Sequence, residues 1–428
     1  MADHQRSSDQ SRRRRPSKKP EKGRLPAKFT VDLSQPPRAR YNHITPFFQR
    51  VIQATDLAGI FKDLTNSLAG PNIGKIARYV AQLLLRRVRS NEETEELRGI
   101  SQGSGVPMYL LVAFNALLDV LLGCTSGGVR VGSGLRGHGE EGSRIVHLRT
   151  LDWGMDPLRN LIVELDFVRS EGGPVVASVV TYFGYVGVLT GVRKGLSMSL
   201  NFRGRHDTST WWKEMAFRWH QAMVVLGFRP SISTVLRQIL LENSPFLPEK
   251  GHDCADRKKD ETQGIISEDK VATMISNLLP SPSTAAYLIF CTPQFVRVVE
   301  KDHCSGTVRS SETFLAAYNH DRSDEEDPAQ LESMAEHLAQ SQAACGMADL
   351  VSFSLERKER LDQMWQESAA SRRRRLKSSG DAVAMADVLK FVKDSEISNE
   401  ETHYAVLMDP GTGEILWRRA YEEEDFIL

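Results

Sequence analysis

The segment Val112-Ala-Phe-Asn-Ala-Leu-Leu-Asp-Val-Leu-Leu-Gly-Cys-Thr-Ser126 changes character at one residue. Its first part is mostly apolar, and Pro107 stands upstream, where the first turn of a helix accepts a proline. A strand-like pattern begins at Cys124. We therefore predict a buried helix over 107–122, too short to cross a bilayer, and a strand over Cys124–Val131 directly after it.

The stretch His147-Leu-Arg-Thr-Leu-Asp-Trp-Gly154 follows at a distance that suits a hairpin. A second strand over Ser143–Asp152 would return from a Gly-rich loop and bring Arg149 and Asp152 towards Cys124. The pattern thus predicts a thiol with a guanidinium and a carboxylate close to it.

Those three side chains suit an amino-terminal nucleophile. Cleavage of the Gly123–Cys124 bond would free an α-amine, with a pKa near ~8, on the residue that carries the thiol. The amine can act as the base, Asp152 would orient the ammonium, and Arg149 would favour the thiolate. Taken alone, however, a buried cysteine after a helix is more commonly an inert packing residue.

The rest of the chain alternates between helix and strand patterns, which indicates an α+β protein. Further strands are predicted at Lys28–Leu33, Leu161–Arg169, Val175–Phe183, Gly195–Asn201, Ala285–Cys291, Val296–Val299 and Thr313–Tyr318, with a closing hairpin of Thr402–Met408 and Glu414–Arg418. Further helices are predicted at Ile44–Leu57, Ile73–Val88, Trp211–Leu226, Ser231–Glu242, Gln330–Ala344 and Val383–Val392, with a Glu-rich turn at Glu92–Glu96. The strands in the middle of the chain should form a meander.

The composition is that of a soluble globular protein. The chain has 428 residues, of which 40% are hydrophobic and 26% charged, and Lys+Arg and Asp+Glu number 55 each. This balance gives no reason to expect a nucleic-acid partner. Five scattered cysteines and the lack of any Asn-x-Ser/Thr sequon favour a reducing compartment, so we expect an intracellular, cytoplasmic location.

Other conspicuous residues receive plainer interpretations. The aromatic side chains of Trp211–Leu226 could line a lipid groove, but at helical spacing they more commonly belong to the core. The pairs His252 with Cys254 and His303 with Cys304 lack a second pair at ligand spacing, so we expect neither a metal nor a cofactor.

At four places the residues resemble the family of acid ceramidase and N-acylethanolamine acid amidase. Val112–Ser126 resembles the family's processing site, and Arg149-Thr-Leu-Asp-Trp153 resembles its Arg-Asn-Met-Asp-Phe stretch. Phe183-Gly-Tyr-Val-Gly-Val-Leu-Thr-Gly191 is similar to its Gly-Tyr-Val-Gly-x-Leu-Thr-Gly segment. Phe29–Tyr41 is similar to the start of its small subunit.

The resemblance implies an amino-terminal-nucleophile (Ntn) hydrolase with an αββα sandwich. Cys124 would be the nucleophile, with Arg149 and Asp152 as its supporting pair, and Asn201 would donate to the oxyanion. Asn319 matches an asparagine of the family's Thr-Asn-Tyr-Asp stretch. A further arginine role would fall to Arg357, provided that a charged insertion lies at about 322–355.

We accordingly divide the chain into three parts. Residues 1–25 are predicted to be a disordered basic tail, for which a nuclear-import signal or an anchor for anionic lipid is the sharper alternative. Residues 26–123 form a helical, small-subunit-like segment. Residues 124–428 form the hydrolase core, with the insertion and a basic loop at 371–380.

The predicted activity is hydrolysis of the N-acyl bond of a lipid amide, most plausibly ceramide, after self-cleavage into two chains. N-acylethanolamine is the rival substrate. From another class, the rival is a non-catalytic relative that binds lipid, and in either case peripheral contact with a membrane is expected. A lysosomal setting, as in the animal relatives, finds no support in the sequence.

Overall fold

Two β-sheets lie face to face in the centre of the protein. The computed structural model describes residues 22–117, 123–132, 142–241, 266–325, 353–376 and 380–426, together with Ala329. Within these ranges, helices pack on the outer face of each sheet, so the layers run helix, sheet, sheet, helix. The αββα sandwich predicted from the resemblance is confirmed.

The larger sheet contains the central meander. Its strands are β1 Ala27–Asp32, β4 Ile162–Val168, β5 Val175–Tyr182, β6 Thr190–Arg193, β7 Leu196–Phe202, β8 Ala286–Cys291, β9 Val296–Lys301 and β10 Gly306–Ser311. They lie in the order β1-β4-β5-β6-β7-β8-β9-β10. From β4 onward neighbouring strands are antiparallel, whereas β1 is parallel to β4.

The smaller sheet holds the cysteine. Its strands are β2 Gly123–Val131, β3 Arg144–Asp152, β11 Phe314–Ala317, β12 Thr402–Asp409 and β13 Glu414–Ala420, in the order β11-β2-β3-β12-β13. The pairing of β2 with β3 sets Cys124 opposite Leu151 and Ser126 opposite Arg149. Because side chains alternate along a strand, Cys124 and Arg149 share the face that packs against β7 of the larger sheet.

Helices flank this double layer. In the described residues they are α1 Thr45–Ala54, α2 Leu57–Leu84, α3 Asn91–Ser104, α4 Met108–Leu117, α5 Trp211–Val225, α6 Ile232–Leu240, α7 Glu268–Leu278, α8 Ser354–Leu376 and α9 Met385–Lys393. The larger sheet carries α6 on its outer face, and the smaller sheet carries α9. The apolar helix α4 packs against α2, α3 and α5. None of the described helices is long and apolar enough to cross a bilayer.

Buried charges fix the N-terminal helices to the rest of the protein. Glu96 of α3 is fully buried and forms ion pairs with Arg237 of α6 at 2.6 and 2.7 Å and with Arg40 at 2.8 Å. One turn earlier, Glu93 accepts a hydrogen bond from Thr234 at 2.7 Å, and burial raises the pKa of its carboxyl to about 7. With the pairing of β1 and β4, these contacts hold the segment before the cysteine against the larger sheet.

Two predicted irregular segments are helical. The prediction of a Glu-rich turn at Glu92–Glu96 is wrong, because these residues lie at the start of the helix α3. Ser90 caps this helix, since its hydroxyl accepts a hydrogen bond from the backbone N–H of Glu93 at 3.2 Å. The basic loop at 371–380 is also wrong over its first half, because residues 371–376 continue α8. In both cases charged side chains obscured the helical pattern, and the glutamates of α3 are held by partners distant in sequence, Thr234 and Arg237.

Two further predictions need correction. The last residues of the predicted tail belong to the folded part, since Arg24 pairs with the backbone of Ala420 and forms an ion pair with Glu422. The tryptophans of α5 do not join the core: Trp211, Trp212 and Trp219 are 61%, 67% and 60% exposed, and Phe217 is the buried aromatic residue of that helix.

Several predictions fall on residues outside the described ranges. These are the tail over residues 1–21, the end of the helix at 107–122, most of the Gly-rich loop after β2, the helix Gln330–Ala344 and most of the insertion at about 322–355. The sequence patterns did not reveal the short strand β6, the edge strand β10 or the helix α7.

Candidate active site

Cys124 lies near the start of β2 and is fully buried between the two sheets. Its sulfur accepts a hydrogen bond from Nη2 of Arg149 at 3.0 Å. Its backbone N–H donates to Oδ1 of Asn319 at 2.9 Å. The sulfur and the nitrogen that the proposed cut would free are therefore each held by a different polar side chain.

Arg149 and Asn201 connect the sheets beside that sulfur. Nη1 of Arg149 donates to Oδ1 of Asn201 at 2.7 Å, which fixes the orientation of the Asn201 amide. The Nδ2 group then donates to the carbonyl oxygens of Cys124, Ala317 and Tyr318 at 3.1 to 3.3 Å. The side-chain amide of Asn201 thus places an N–H donor next to the nucleophile, where a tetrahedral oxyanion would need one.

Arg357 joins Asp152 to Asn319, and it lies shortly after residue 353, where the described part of the chain resumes. Arg357 of α8 donates from Nη1 to Oδ2 of Asp152 at 2.6 Å and from Nη2 to Oδ1 of Asn319 at 3.0 Å. Both members of the Asp152–Arg357 pair are almost fully buried. Arg357 thus contacts two of the other predicted site residues, and its role stays a prediction.

The structure therefore brings all six predicted site residues into one connected cluster. The cluster consists of Cys124, Arg149, Asp152, Asn201, Asn319 and Arg357. Their catalytic roles stay predictions, since the contacts show proximity and not chemistry.

Burial has the largest effect on the pKa of the Cys124 thiol. It raises the pKa of the Cys124 thiol to about 11, and the nearby carboxylate of Asp152 raises it further. The positive charges of Arg149 and Arg357 act in the opposite direction. In this closed arrangement the thiol is protonated at neutral pH, so attack needs a base that takes its proton.

The sequence patterns missed two polar residues of the cluster. Thr402 of β12 donates from Oγ1 to Oδ1 of Asp152 at 2.8 Å. Ser354, the first residue of α8, accepts from the backbone N–H of Asn319 at 2.9 Å. Neither residue lies near its partner in sequence, and a hydroxyl in a strand or at a helix start carries no distinctive signal.

The remaining candidates have other surroundings. His147 is fully buried and hydrogen-bonds to Ser126, Ser197 and Ser199 at 2.9 to 3.0 Å, so it packs inside the sandwich. Cys304 is exposed. Among the described residues, no three histidines, cysteines or carboxylates come together in a group that could hold a metal ion.

Comparisons with known proteins find similarity to the same family that the sequence resembles. Residues 25–88 match the family model described as the beta subunit of N-acylethanolamine-hydrolyzing acid amidase. The N-acylethanolamine-hydrolyzing acid amidase of Caenorhabditis elegans is 32% identical over 193 residues, which cover 42% of this chain and 49% of that protein. Mouse acid ceramidase is 29% identical over 191 residues, which cover 41% and 45%.

A solved structure of a Caenorhabditis elegans N-acylethanolamine-hydrolyzing acid amidase ortholog also matches. It is 18% identical, with a TM-score of 0.42, and the match covers 68% of this chain and 94% of that one. The chain spans about half the length of the curated relatives that it matches.

Two facing sheets enclosed by helices, with the cysteine near the start of an inner strand, define the fold as that of an Ntn hydrolase. The sequence matches show similarity to N-acylethanolamine-hydrolyzing acid amidase and acid ceramidase over 41–42% of the chain, the same proteins that the residues resemble.

The buried ion pair in this site should have a large coupling energy. Replacing Asp152 by Asn or Arg357 by Met leaves the other charge buried without its partner, which we expect to lower the free energy of unfolding by about 3–5 kcal/mol. The double variant should recover part of this loss. Urea unfolding of the three variants in a Cys124→Ala background, chosen to keep the chain in one piece, measures the coupling.

The pair Lys358–Asp362 on the same helix provides a matched control. Its atoms are 2.9 Å apart, but its side chains are 21% and 33% exposed. Asp362→Asn should therefore change the free energy of unfolding by about 1 kcal/mol or less. A coupling between Asp152 and Arg357 as small as this would contradict the buried geometry.

Proposed function

We propose that this protein is an amide hydrolase that uses Cys124 as an amino-terminal nucleophile to cleave the N-acyl bond of a lipid amide. The contact of the Cys124 sulfur with the Arg149 guanidinium at 3.0 Å supports this proposal most directly. Two guanidiniums and one carboxylate surround the thiol, so one positive charge is left for a thiolate to neutralise.

Maturation begins with a cut between Gly123 and Cys124. The sulfur attacks the carbonyl carbon of Gly123, the C–N bond breaks, and the proton of the thiol ends on the released nitrogen. Water then hydrolyses the thioester, which leaves Gly123 with a carboxylate and Cys124 with a free amine. The full burial of Cys124 supports this order, because in the uncut arrangement no substrate can reach the sulfur.

The free amine then serves as the base in turnover. It takes the thiol proton, and the thiolate attacks the carbonyl carbon of the substrate amide. Asn201 and backbone N–H groups stabilise the tetrahedral oxyanion. The amine product leaves with the proton, and water hydrolyses the acyl-thioester to release a fatty acid.

Ceramide is the substrate that we propose, with sphingosine as the amine product. The relationship to acid ceramidases supports this choice. N-acylethanolamine is the second candidate, favoured by the family model that matches residues 25–88 and by the nematode relative. A non-catalytic relative that binds lipid is the alternative from another class.

The two fragments should stay together after the cut. The N-terminal fragment supplies β1, which pairs with β4 of the larger sheet, and Glu96, whose carboxylate is held by Arg237. These contacts are non-covalent and do not involve the Gly123–Cys124 bond. The mature enzyme is therefore proposed to be a heterodimer from one precursor.

One side of the protein is suited to a membrane surface. On α5, the side chains of Trp211, Trp212 and Trp219 are more than half exposed, as are Ile76 and Tyr79 on α2. Both helices pack against α4, so the two groups border the same part of the fold. Because a soluble surface rarely exposes so many large apolar side chains, we propose that this side contacts the bilayer that contains the substrate.

Self-cleavage can be tested by denaturing mass analysis of the purified protein. The wild type should give two fragments that meet between Gly123 and Cys124, whereas Cys124→Ala should give one intact chain, because no sulfur is present to attack. Native gel filtration should keep the two wild-type fragments in one peak. A wild-type chain that is uncut yet active would refute the amine as base.

The cleaved protein should hydrolyse ceramide faster than N-acylethanolamine, as measured by the release of free fatty acid. Cys304→Ala is the matched control for Cys124→Ala, because Cys304 is an exposed thiol outside the site. It should keep full activity, whereas Cys124→Ala should have none. Faster turnover of N-acylethanolamine would favour the second candidate, and cleaved protein that hydrolyses neither amide would favour the lipid-binding alternative.

Membrane contact can be tested by sedimentation with neutral phospholipid vesicles. Joint replacement of Trp211, Trp212 and Trp219 by Ala should strongly reduce the bound fraction, because it removes the exposed apolar area of α5. Replacement of Val175 and Val308, which are also exposed but lie on strands, should not. Equal binding by the two variants would contradict this role of α5.

A further inference from the structure

Thr402 contacts the site through a hydroxyl whose direction is fixed. The residue is fully buried, and its Oγ1 lies 2.8 Å from Oδ1 of Asp152 and 3.0 Å from the backbone nitrogen of Asn399. The Asn399 N–H can only donate, so Oγ1 accepts there. The single proton of the hydroxyl is then available for the carboxylate of Asp152, which makes Thr402 its hydrogen-bond donor.

The backbone of β12 is shaped to make this contact. Thr402 lies opposite Asp152 in the ladder with β3, but the next paired residues are Tyr404 and Leu151, so the register shifts between them. An irregularity of this kind redirects the side chains next to it, as β-bulges beside active sites do. The carbonyl of Thr402 also accepts from Nη1 of Arg159 at 2.6 Å, which anchors the strand at this point.

Both oxygens of Asp152 are therefore held from different elements. Oδ1 receives the hydroxyl of Thr402 from β12, and Oδ2 receives the guanidinium of Arg357 from α8. A carboxylate held at both oxygens has one orientation. Without the hydroxyl of Thr402, Oδ1 of Asp152 would lose its hydrogen bond from β12.

We propose that Thr402 is a positioning residue that holds the Asp152 carboxylate ionised and correctly oriented for the freed amine of Cys124. This inference rests on the proposed function, because it assigns Thr402 a task only if Asp152 orients that amine. The hydroxyl of Thr402 contacts Asp152 and Asn399, so Thr402 acts on the site through the Asp152 carboxylate.

The electrostatic surroundings of Asp152 make its ionisation sensitive to this hydrogen bond. Burial raises the pKa of the Asp152 carboxyl, while Arg357, the Thr402 hydroxyl, Arg149 and Arg159 lower it. The Cys124 thiol and the Glu401 carboxyl also interact electrostatically with it. Loss of the hydroxyl removes one of the opposing contributions, so the carboxyl should take up a proton at higher pH.

The test compares Thr402→Val and Thr402→Ala, which lack the hydroxyl, with Thr402→Ser, which keeps it. The pH dependence of kcat and KM for lipid-amide hydrolysis is measured for each, together with the extent of self-cleavage and the urea unfolding midpoint. The Ala variant provides the comparison if the Val variant does not fold.

Both variants without the hydroxyl should lose about 10- to 100-fold in kcat with little change in KM, the range expected for one hydrogen bond to a charged group. The acidic limb of their kcat profile should move to higher pH, since Asp152 must be ionised to work. Thr402→Ser should retain the wild-type profile, because its hydroxyl can make the same contact.

Two results would overturn this inference alone: a wild-type pH profile in Thr402→Ala, or a Thr402→Ser variant as impaired as Thr402→Ala while wild type is active. The first of these results, combined with a lowered unfolding midpoint, is what a purely structural role of Thr402 predicts. A wild-type chain that neither cleaves itself nor hydrolyses lipid amides would overturn the proposed function, and this inference with it.

Discussion

A single buried guanidinium joins the two sheets at the cysteine. Arg149 comes from the smaller sheet and donates to the sulfur of Cys124 at 3.0 Å and to Asn201 of the larger sheet at 2.7 Å. All three residues are fully buried, so bulk solvent does not stabilise the charge of Arg149, and hydrogen bonds to protein atoms compensate for the burial. The spacing of the sheets thus fixes the geometry on which the proposed chemistry depends.

The same burial creates the main obstacle to that chemistry. It raises the pKa of the Cys124 thiol, whereas the charge and hydrogen bond of Arg149 and the charge of Arg357 lower it. A freed α-amine would supply a base on the cysteine itself, without a further buried titratable side chain. Cleavage before Cys124 would thereby solve two problems at once, because it would both expose the sulfur and create its base.

The sequence was most informative where the site is local. Cys124, Arg149 and Asp152 lie on two strands joined by one hairpin, so strand patterns alone placed them side by side. Arg357 could be assigned only through the family resemblance and a supposed insertion, because its contact with Asp152 spans 205 residues of sequence. Thr402 escaped notice for the same reason, since its contact with Asp152 spans 250 residues.

The fold was predictable to a similar extent. Apolar alternation located most strands, but it missed β6 and β10, which are short or lie at an edge, where few side chains are buried on a regular period. The start of α3 was predicted to be a turn, because Glu93 and Glu96 are buried through Thr234, Arg237 and Arg40, which are all distant in sequence. The tryptophans of α5 were predicted to pack in the core because large apolar side chains usually do. They are exposed instead, and this exposure supports the proposed membrane contact.

The proposed chemistry requires that the closed, uncut site already holds the arrangement that the mature nucleophile uses. An experimental structure of the purified wild-type protein tests it most directly. The account predicts a chain end at Cys124, a sulfur still hydrogen-bonded to Arg149, and a free amine in the place of the N–H that now faces Asn319. A structure in which Cys124 remains linked to Gly123 in active protein, or in which its sulfur has turned away from Arg149, would contradict the account.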